Sequence, residues 1–416
     1  MFLAKGTCVI WLFNNIFNKN FELEEMNENR LCVLLGAGFS KLAGLPLVKE
    51  INEYFTRDNV RKLLNFSSGE WKWTDFASDV DKSNGTIPFD HIAYGFILNE
   101  LVVEFTRLNG RFSNYEDFYQ FVSDNLWKEG FYSSICSSAQ DKFILSGLID
   151  AKNPNYNSYG FAFTHPNIGI IFPLINYLIS DLLFVRRIPL DVSTAYSSFI
   201  EFLKRFNTID IITLNHDLLI EHLVENELKK QYSDGFSRNQ NILFSSQGLP
   251  LNTFANIFDK DISLIKLHGS LDLFKYIVST EHGAFVTPTG YYTYFKTSDF
   301  NEKQMPERRN PETGERIQRF HSNISPQFIT GSNKQDIIAS DYMYNALYDQ
   351  ADKKLSEATT LLVIGYSYGD KHVNDLIKKA VSGDKVGKIF NINPTNIFPF
   401  SSVTSEIINL KELCEL

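Results

Sequence analysis

The clearest structural signal in the sequence lies between Leu31 and Pro46 and reads LCVLLGAGFSKLAGLP. Its first five residues are apolar, which is typical of a buried β-strand, and they run directly into Gly36-Ala37-Gly38, where a helical pattern begins. A strand, a glycine turn and a helix N-terminus form a cradle for phosphate, because glycine lets the backbone approach and free amides stabilise negative charge. The same pattern fits an ordinary tight turn between a strand and a helix, and this alternative stays open.

The glycine spacing departs from the dinucleotide fingerprint of dehydrogenases. That fingerprint would place a third glycine at position 41, where this chain has Lys41, and the next glycine is Gly44. The sequence therefore predicts a nucleotide site but weakens the interpretation as a hydride-transfer enzyme.

Composition limits the classes of protein that fit. The chain has 416 residues, of which 44% are hydrophobic and 21% charged, as in a globular protein. A net charge of −9 argues against broad electrostatic binding to nucleic acid. The 36 phenylalanines and 19 tyrosines suit a large core, an oligomer interface, or both.

The cysteines and the N-terminus bear on metal content and location. The four cysteines, at positions 8, 32, 136 and 414, form no Cys-x-x-Cys pair, so neither a structural zinc site nor a disulfide framework is expected. The apolar run at residues 8–13 is too short to span a membrane and shows no evident cleavage site. We therefore expect a cytoplasmic protein without a membrane segment.

Strand and helix patterns alternate along much of the chain, which predicts an α/β fold with a mainly parallel, Rossmann-like sheet. The predicted strands are Leu31–Leu35, Ile209–Leu214, Ile262–Leu267, Thr360–Ile364 and Lys388–Ile392. The predicted segments are an N-terminal lead-in (1–30), a nucleotide-binding domain (31–64 and 206–400), a helical insertion (65–205) and a C-terminal tail (401–416). A helix is expected over Val48–Leu64, and residues 280–325 are expected to form a turn-rich surface loop or lid.

Polar sequences follow four of these strands. They are Gly36-Ala37-Gly38-Phe39-Ser40, Thr213-Leu214-Asn215-His216-Asp217, Lys266-Leu267-His268-Gly269-Ser270 and Gly365-Tyr366-Ser367. In parallel sheets, ligands bind beyond the carboxyl ends of the strands, where these loops gather.

The order and content of these four sequences resemble the sirtuin family, NAD-consuming enzymes named for silent information regulator two. The resemblance covers residues 31–60 and 206–395 and implies that NAD is the substrate. It assigns pyrophosphate binding to the Gly-Ala-Gly-x-Ser loop, contact with the nicotinamide ribose to the Thr-x-Asn-x-Asp strand end, and catalysis to the histidine of His-Gly. The residues it implies for NAD binding are Gly36, Ala37, Gly38, Ser40, Pro46, Thr213, Gly365, Ser367, Asn391 and Asn393, and those for catalysis are Asn215, His268 and Asp217.

The departures from the family pattern point away from protein deacylation. Deacylating members usually continue the Gly-x-Pro sequence with Asp-Phe-Arg, whereas Pro46 is followed here by Leu47-Val48-Lys49, and the two Cys-x-x-Cys pairs of their zinc module are absent. A long helical insertion is similar to that of bacterial sirtuin-like proteins that degrade NAD during antiviral defence. That resemblance implies a homo-oligomer and makes a HerA-type hexameric ATPase a candidate partner.

The side chains fit cleavage of the nicotinamide–ribose bond. The reaction passes through an oxocarbenium-like state, and the departing nicotinamide already carries positive charge and needs no proton. Asn215 can orient a water or a ribose hydroxyl, and His268, neutral near pH 7, can accept a proton. Asp217 can hold the ribose or stabilise positive charge, while Ser40 and the Gly36–Gly38 amides can anchor phosphate.

Other roles remain open for the same residues. Asn215 and Asp217 fit the N-cap of a following helix, Ser367 and Asp370 fit the cap of the next, and His268-Gly269 and Asn393-Pro394 fit ordinary turns. Three functions therefore fit the sequence: NAD hydrolysis, which is favoured; NAD-dependent deacylation or ADP-ribosyl transfer; and non-catalytic sensing of NAD or ADP-ribose.

Overall fold

A computed structural model describes most of the chain between residues 30 and 409. The described residues are 30–56, 63–65, 71–73, 89–147, 163, 171–183, 192–238, 243–245, 248–282, 285–297, 306–310, 312–318, 325–329, 334–393, 397–401 and 405–409. All of the predicted lead-in except Arg30, and residues 402–404 and 410–416 of the predicted tail, lie outside this set.

The described strands and helices are numbered in chain order. The strands are β1 (Arg30–Leu35), β2 (Leu63–Asn65), β3 (Trp71–Trp73), β4 (Thr208–Thr213), β5 (Phe236–Ser237), β6 (Leu243–Phe244), β7 (Asn252–Phe254), β8 (Ile262–Lys266), β9 (Gly269–Ser270), β10 (Leu273–His282), β11 (Phe285–Lys296), β12 (Glu307–Arg309), β13 (Arg316–Gln318), β14 (Gln327–Phe328), β15 (Thr360–Ile364), β16 (Lys388–Ile392) and β17 (Glu406–Asn409). The helices are α1 (Ala37–Lys41), α2 (Val48–Phe55), α3 (Phe89–Asn109), α4 (Tyr115–Asn125), α5 (Phe131–Leu145), α6 (Ile171–Leu183), α7 (Val192–Leu203), α8 (Leu219–His222, continued by a π-helical turn, Leu223–Glu227), α9 (Lys334–Ser340), α10 (Tyr342–Glu357) and α11 (Lys371–Val381).

A six-stranded parallel sheet forms the centre of the fold. Its strands lie in the order β17-β16-β15-β1-β4-β8, and every neighbouring pair is parallel. The predicted α/β class with a mainly parallel sheet is confirmed. The five predicted strands coincide with β1, β4, β8, β15 and β16 to within a residue.

The alternation of side chains along β1 explains the two layers of helices. Leu31, Val33 and Leu35 pack into one hydrophobic core with α7 and α8. Cys32 and Leu34 point to the opposite face and pack into a second core with α10 and α11. Successive strand residues face opposite sides of a sheet, so an unbroken apolar run marks a strand buried on both faces.

The strand order places a switch point beside β1. The chain leaves β1 toward β4 and β8 on one side, then returns to β15, β16 and β17 on the other. In open α/β sheets, ligands bind outside the carboxyl ends of the strands at such a point. The loops that follow β1 and β15 flank this crevice.

The described part of residues 65–205 is mainly helical. Helices α3 to α6 share a hydrophobic core of their own, which also takes in Ile51 and Phe55 of α2. Helix α7 packs instead against the parallel sheet, where Tyr196 donates a hydrogen bond to the carbonyl of Phe39 (2.6 Å). The boundaries of the insertion stay a prediction.

The helix predicted over Val48–Leu64 is wrong in its C-terminal part. Helix α2 ends at Phe55, and β2 pairs antiparallel with β3. Leu63-Leu64 provided two apolar residues at helical spacing, but so short an apolar run fits a strand equally well.

The loop or lid expected over residues 280–325 is also wrong for much of its length. Strands β10 and β11 form a long antiparallel pair within a four-stranded sheet, and β12 pairs with β13. Pro288 and Gly290 suggested a turn, but the pairing register shifts between Ile277 and Ser279, opposite these residues, so they accompany an irregularity within the hairpin.

The predicted C-terminal tail contributes a strand that sequence patterns missed. Strand β17 pairs with β16 at the edge of the parallel sheet. Its four residues, Glu-Ile-Ile-Asn, are too few to show a pattern.

Among the helices that the structure describes, none has both the length and the apolar character needed to cross a membrane.

Candidate functional site

The glycine loop after β1 is hydrogen-bonded to the end of β15. The Gly36 amide donates to the carbonyl of Ile364 (3.0 Å), and the Gly38 amide donates to the carbonyl of Gly365 (3.0 Å). In this conformation the two amides that were expected to bind phosphate are therefore engaged by backbone. The exposed Ala37 begins the five-residue helix α1.

Close packing of two backbones explains three of the predicted glycines. A Cβ atom on Gly36 would lie 2.5 Å from the carbonyl oxygen of Gly365, and one on Gly38 would lie 2.7 Å from its Cα. A Cβ on Gly365 would lie 2.4 Å from the Phe39 nitrogen, and Gly365 also has a positive φ of 62°. A side chain on any of them would push the two loops apart.

Asn215 ties the end of β4 to the glycine loop. Its Nδ2 donates to the carbonyl of Gly36 (3.0 Å) and to Oγ of the buried Ser40 (2.9 Å). Its backbone amide donates to Oγ1 of Thr213 (3.1 Å). The loop and the Thr-x-Asn-x-Asp strand end are thus one hydrogen-bonded unit, in line with the grouping expected from the sequence.

Asp217 forms a turn directly before α8, whose N-cap is Leu218, so the capping role that the sequence left open is not observed. Its Oδ1 accepts a hydrogen bond from the Leu219 amide (3.0 Å), and the residue is only 4% exposed. Its carbonyl accepts a hydrogen bond from Lys266, which also pairs with Glu221 (2.8 Å). These contacts favour a positioning role for Asp217 over direct contact with a sugar.

His268 follows β8 and lies in a buried group of charged side chains. Its Nε2 lies 3.2 Å from Oδ2 of Asp370, although the two groups are not aligned as a hydrogen bond. Lys334 lies 3.6 Å from the same Asp370 oxygen and 3.0 Å from Oε2 of Glu116 on α4. A chain of charges therefore connects the helical region to the candidate catalytic histidine.

The surroundings of His268 set the charges in this group. Burial lowers the pKa of His268 below its ordinary value of 6.5, although Asp370 opposes the shift, so the ring is neutral near pH 7. Burial alone would raise the pKa of Asp370, but contacts with His268, Lys334 and the Val373 amide hold that pKa well below its usual range. With His268 neutral, Lys334 supplies the positive charge that keeps Asp370 ionised.

The glycine of the His-Gly pair has a steric role. A Cβ on Gly269 would lie 2.1 Å from the carbonyl oxygen of Gln327, and Gly269 has a φ of 89°. Strands β9 and β14 pair here, and the Ile329 amide donates to the carbonyl of His268 (2.9 Å). The pairing of β9 with β14 fixes the backbone that carries the histidine.

His216 is a second buried histidine, and no pattern in the sequence indicated a role for it. Its ring lies 4.5 Å from that of Phe328 and 6.5 Å from that of His268. Burial, and to a smaller extent the nearby His268, lowers the pKa of His216 to about 3, so the ring is neutral. Its Nδ1 is buried and has no hydrogen-bond partner among the described residues.

The remaining predicted residues shape the loop after β15. The buried Asn393 donates from Nδ2 to the carbonyl of Tyr366, and Asn391 accepts a hydrogen bond from the Tyr368 hydroxyl (2.6 Å). Ser367 is exposed. Asp370 caps α11 by accepting from the amides of His372 (3.0 Å) and Val373 (3.2 Å), the alternative role that the sequence pattern gave it.

The four strand ends meet at one edge of the sheet. The glycine loop contacts Asn215 and Gly365, and Asp370, five residues after Gly365, lies beside His268. Pro46 lies apart from these contacts, half-buried in the link between α1 and α2.

Three residues around this site were not predicted from the sequence, namely Glu116, Lys334 and Tyr368. Tyr368, with a φ of 58°, occupies a left-handed conformation that a sequence pattern does not signal.

The described residues contain no group of three or more His, Cys, Asp or Glu side chains that could hold a metal ion.

Residues 210–397 match the SIR2-like domain family. The match begins in β4, so the glycine loop at residues 36–40 lies outside it, although that loop contacts Asn215 and Gly365 within it. No curated protein matches the chain.

The chain is also similar to solved sirtuin structures. They include Sir2Tm bound to a propionylated peptide (12% identity, 98% of this chain and 94% of that chain, TM-score 0.32). A Sir2 homologue mutant in complex with ADP-ribose gives 14% identity over 94% of this chain and 92% of that chain, with a TM-score of 0.32. A Sir2 homologue in complex with NAD gives 12% identity over 97% of this chain and 92% of that chain, with a TM-score of 0.31.

Proposed function

We propose that this protein hydrolyses NAD at the nicotinamide–ribose bond and releases nicotinamide and ADP-ribose. The observation that carries the proposal is that the four strand-end sequences meet at the switch point. The glycine loop is hydrogen-bonded to Asn215 and to Gly365, and Asp370 lies beside His268. The match of residues 210–397 to the SIR2-like domain supports it.

Asn215 orients the nucleophile in this mechanism. Both hydrogens of its side-chain amide are donated, one to the Gly36 carbonyl and one to Ser40. The side-chain carbonyl oxygen is therefore the atom that can accept a hydrogen bond from a water or a ribose hydroxyl. Since the amide is held from two sides, this oxygen has a fixed direction, which lowers the entropic part of the barrier.

His268 accepts the proton of that nucleophile. A general base works best when it is unprotonated at the working pH, and burial keeps the His268 ring neutral. The nicotinamide of NAD leaves without protonation, so the site needs a base and a dry environment but no general acid. The burial of His268 and Asp370 suits this requirement.

NAD binds after the loops that follow β1 and β15 separate. Gly36 and Gly38 contact Gly365 directly, and their amides are engaged by the carbonyls of Ile364 and Gly365. Separation frees these two amides for the pyrophosphate at the switch point. Binding therefore includes a conformational step, which suits an enzyme that must stay inactive until triggered.

We also propose that the protein acts in antiphage defence and is regulated by oligomerisation or by a HerA-type ATPase. The resemblance to bacterial sirtuin-like defence proteins supports this role. Large apolar side chains exposed on the helical region, including Trp127 and Leu145, are of the kind that subunit contacts cover.

The products of the reaction test the proposal. The purified protein is incubated with NAD, alone and with a HerA-type ATPase, and nicotinamide and free ADP-ribose are measured. Equal amounts of both products without an acceptor are expected. Nicotinamide release that requires an acylated peptide or an acceptor protein would indicate deacylation or ADP-ribosyl transfer. Binding of intact NAD without turnover in every assembly would indicate a sensing module, and either result would overturn the proposal.

A further inference from the structure

We propose that Asp370 is the positioning residue of His268. Its carboxylate selects the tautomer with hydrogen on Nε2 and leaves Nδ1 as the proton acceptor. The catalytic consequence of this pairing rests on the proposed function, whereas the pairing of the two side chains does not.

The geometry brings the two side chains together from distant parts of the sequence. His268 follows β8, and Asp370 caps α11 in the loop that follows β15. The side chains are 7% and 9% exposed, and Nε2 lies 3.2 Å from Oδ2. Although the contact is not aligned as a hydrogen bond here, catalytic hydrogen bonds often tighten only when substrate binds.

The burial of Nε2 gives an independent reason for the pairing. Within the described part of the chain this nitrogen is buried and makes no aligned hydrogen bond. Buried polar atoms are nearly always satisfied, and the charged or titratable groups that face the ring are Asp370, Lys334, Glu116 and His216. Of these, Asp370 has the oxygen at hydrogen-bonding distance from Nε2.

Lys334 and Glu116 maintain the charge that Asp370 needs. Lys334 is 12% exposed on its side chain and lies between the two carboxylates, 3.6 Å from Asp370 and 3.0 Å from Glu116. A carboxylate beside an ammonium group stays ionised, and an ionised carboxylate can only accept hydrogen bonds. Asp370 can therefore pair with Nε2 only if that nitrogen carries hydrogen.

The proton balance follows from this tautomer. One proton passes from the nucleophile hydroxyl to Nδ1 of His268 while the nucleophile oxygen bonds to the ribose carbon. The electron pair of the carbon–nitrogen bond leaves with nicotinamide, which neutralises its ring charge. Asp370 stabilises the resulting imidazolium and takes no proton itself, as the aspartate of a Ser-His-Asp triad does.

Asp370→Asn tests the pairing while retaining the helix cap, because asparagine caps helices as well as aspartate does. Its amide donates hydrogen to Nε2, which forces the opposite tautomer. Nicotinamide release is expected to fall about 10²–10⁴-fold, while the variant stays folded because Lys334 keeps its pair with Glu116. The control is Asp375→Asn on the same helix, where the aspartate is exposed and pairs only with Lys378 among the described residues; wild-type turnover is expected.

A second measurement is independent of NAD chemistry. In ¹⁵N-histidine-labelled protein, NMR of the imidazole nitrogens, assigned with His268→Gln, should show hydrogen on Nε2 in the wild type and on Nδ1 in Asp370→Asn. If the asparagine variant does not fold, Asp370→Ser keeps a cap and should give a mixture of tautomers. The same tautomer in wild type and variant would overturn the pairing even if NAD is cleaved. The tautomer change without any NAD cleavage would support the pairing and reject the proposed function.

Discussion

Among single residues, the glycines after β1 have a structural explanation that the sequence did not reveal. The Gly-Ala-Gly pattern suggested close approach to a pyrophosphate, whereas in the structure the close approach is to the backbone at Gly365. The two explanations are compatible, since a loop that packs on a neighbouring backbone can release it to bind phosphate. The pattern alone could not distinguish them, because both require the absence of a Cβ atom.

Substitution of Gly365 by alanine should destabilise the fold strongly. The left-handed backbone alone costs about 1–2 kcal/mol for alanine, and the new Cβ would also lie 2.4 Å from the Phe39 nitrogen. Gly314→Ala is the control, because Gly314 has a φ of 69° and a Cβ added there would meet no other atom within 4 Å. Chemical denaturation should give a larger loss of unfolding free energy for Gly365→Ala, and equal losses would contradict the role of packing.

His216 should make the protein less stable in mild acid. Its pKa is lowered from 6.5 to about 3 in the folded state, so the unfolded chain binds a proton that the folded protein excludes. Stability is then fully present above about pH 6.5 and falls as the pH decreases toward 3. His216→Leu should show a smaller loss of unfolding free energy between about pH 7.5 and about pH 5. Replacing the exposed His222 by glutamine should leave this loss of unfolding free energy as large as in the wild type. An equally large loss in His216→Leu would contradict the role assigned to His216.

Residue roles were predictable where the local sequence carries them and not where distant residues meet. The positions of Asn215, His268 and Gly365 after their strands followed from apolar runs and polar loop residues. The contact of Lys334 with Glu116 joins residues 218 positions apart, and no local pattern indicates it. For the same reason Asp370 was predicted as a cap but not as a partner of His268.

At the scale of elements, buried parallel strands were the easiest to predict. Their continuous apolar runs have no solvent face, which sets them apart from amphipathic helices. Strand β17 and the β10–β11 hairpin were missed for different reasons. The first is a four-residue edge strand, and the second contains proline and glycine that usually mark loops.

A buried ion pair should anchor α10 to the sheet. Asp210, in the middle of β4, is fully buried and lies 2.9 Å from Nζ of Lys354 on α10 and 2.8 Å from Nε of Arg30 on β1. Removing one partner of a buried pair typically costs about 3–5 kcal/mol. Arg30 still pairs with Asp210 in Lys354→Met, so the unfolding free energy should fall by less than that, by about 1–3 kcal/mol. The exposed neighbour Lys353→Met should change it by less than about 0.5 kcal/mol, and similar values for both variants would contradict the prediction.

At the scale of the whole molecule, the helical region and the parallel sheet meet at the candidate site. Glu116 on α4 forms an ion pair with Lys334. Asn176 on α6 donates a hydrogen bond to the carbonyl of Pro326 (3.0 Å), next to the pairing of β9 with β14 that follows His268. These contacts therefore link the helical region to the surroundings of His268. The sequence predicted that these helices exist, but their contacts depend on tertiary packing.

The closed loops also have a role in the proposed regulation. NAD cleavage by an effector must wait for a trigger, and hydrogen bonds to the carbonyls of Ile364 and Gly365 occupy the Gly36 and Gly38 amides that we propose bind phosphate. A partner or a second subunit that binds the helical region would act through the same contacts that reach His268. Oligomerisation and loop opening are thus two parts of one proposed mechanism.

The role of His268 in NAD cleavage is tested by comparing nicotinamide release by the wild-type protein and by His268→Ala. Nicotinamide is quantified over time in the presence of the activating partner, with the exposed His222→Ala as the matched control. We expect nicotinamide release by the wild type and the control, and a loss of about 10²-fold or more in His268→Ala. Equal release by His268→Ala, or no release by the wild type in any assembly, would contradict NAD hydrolysis at this site.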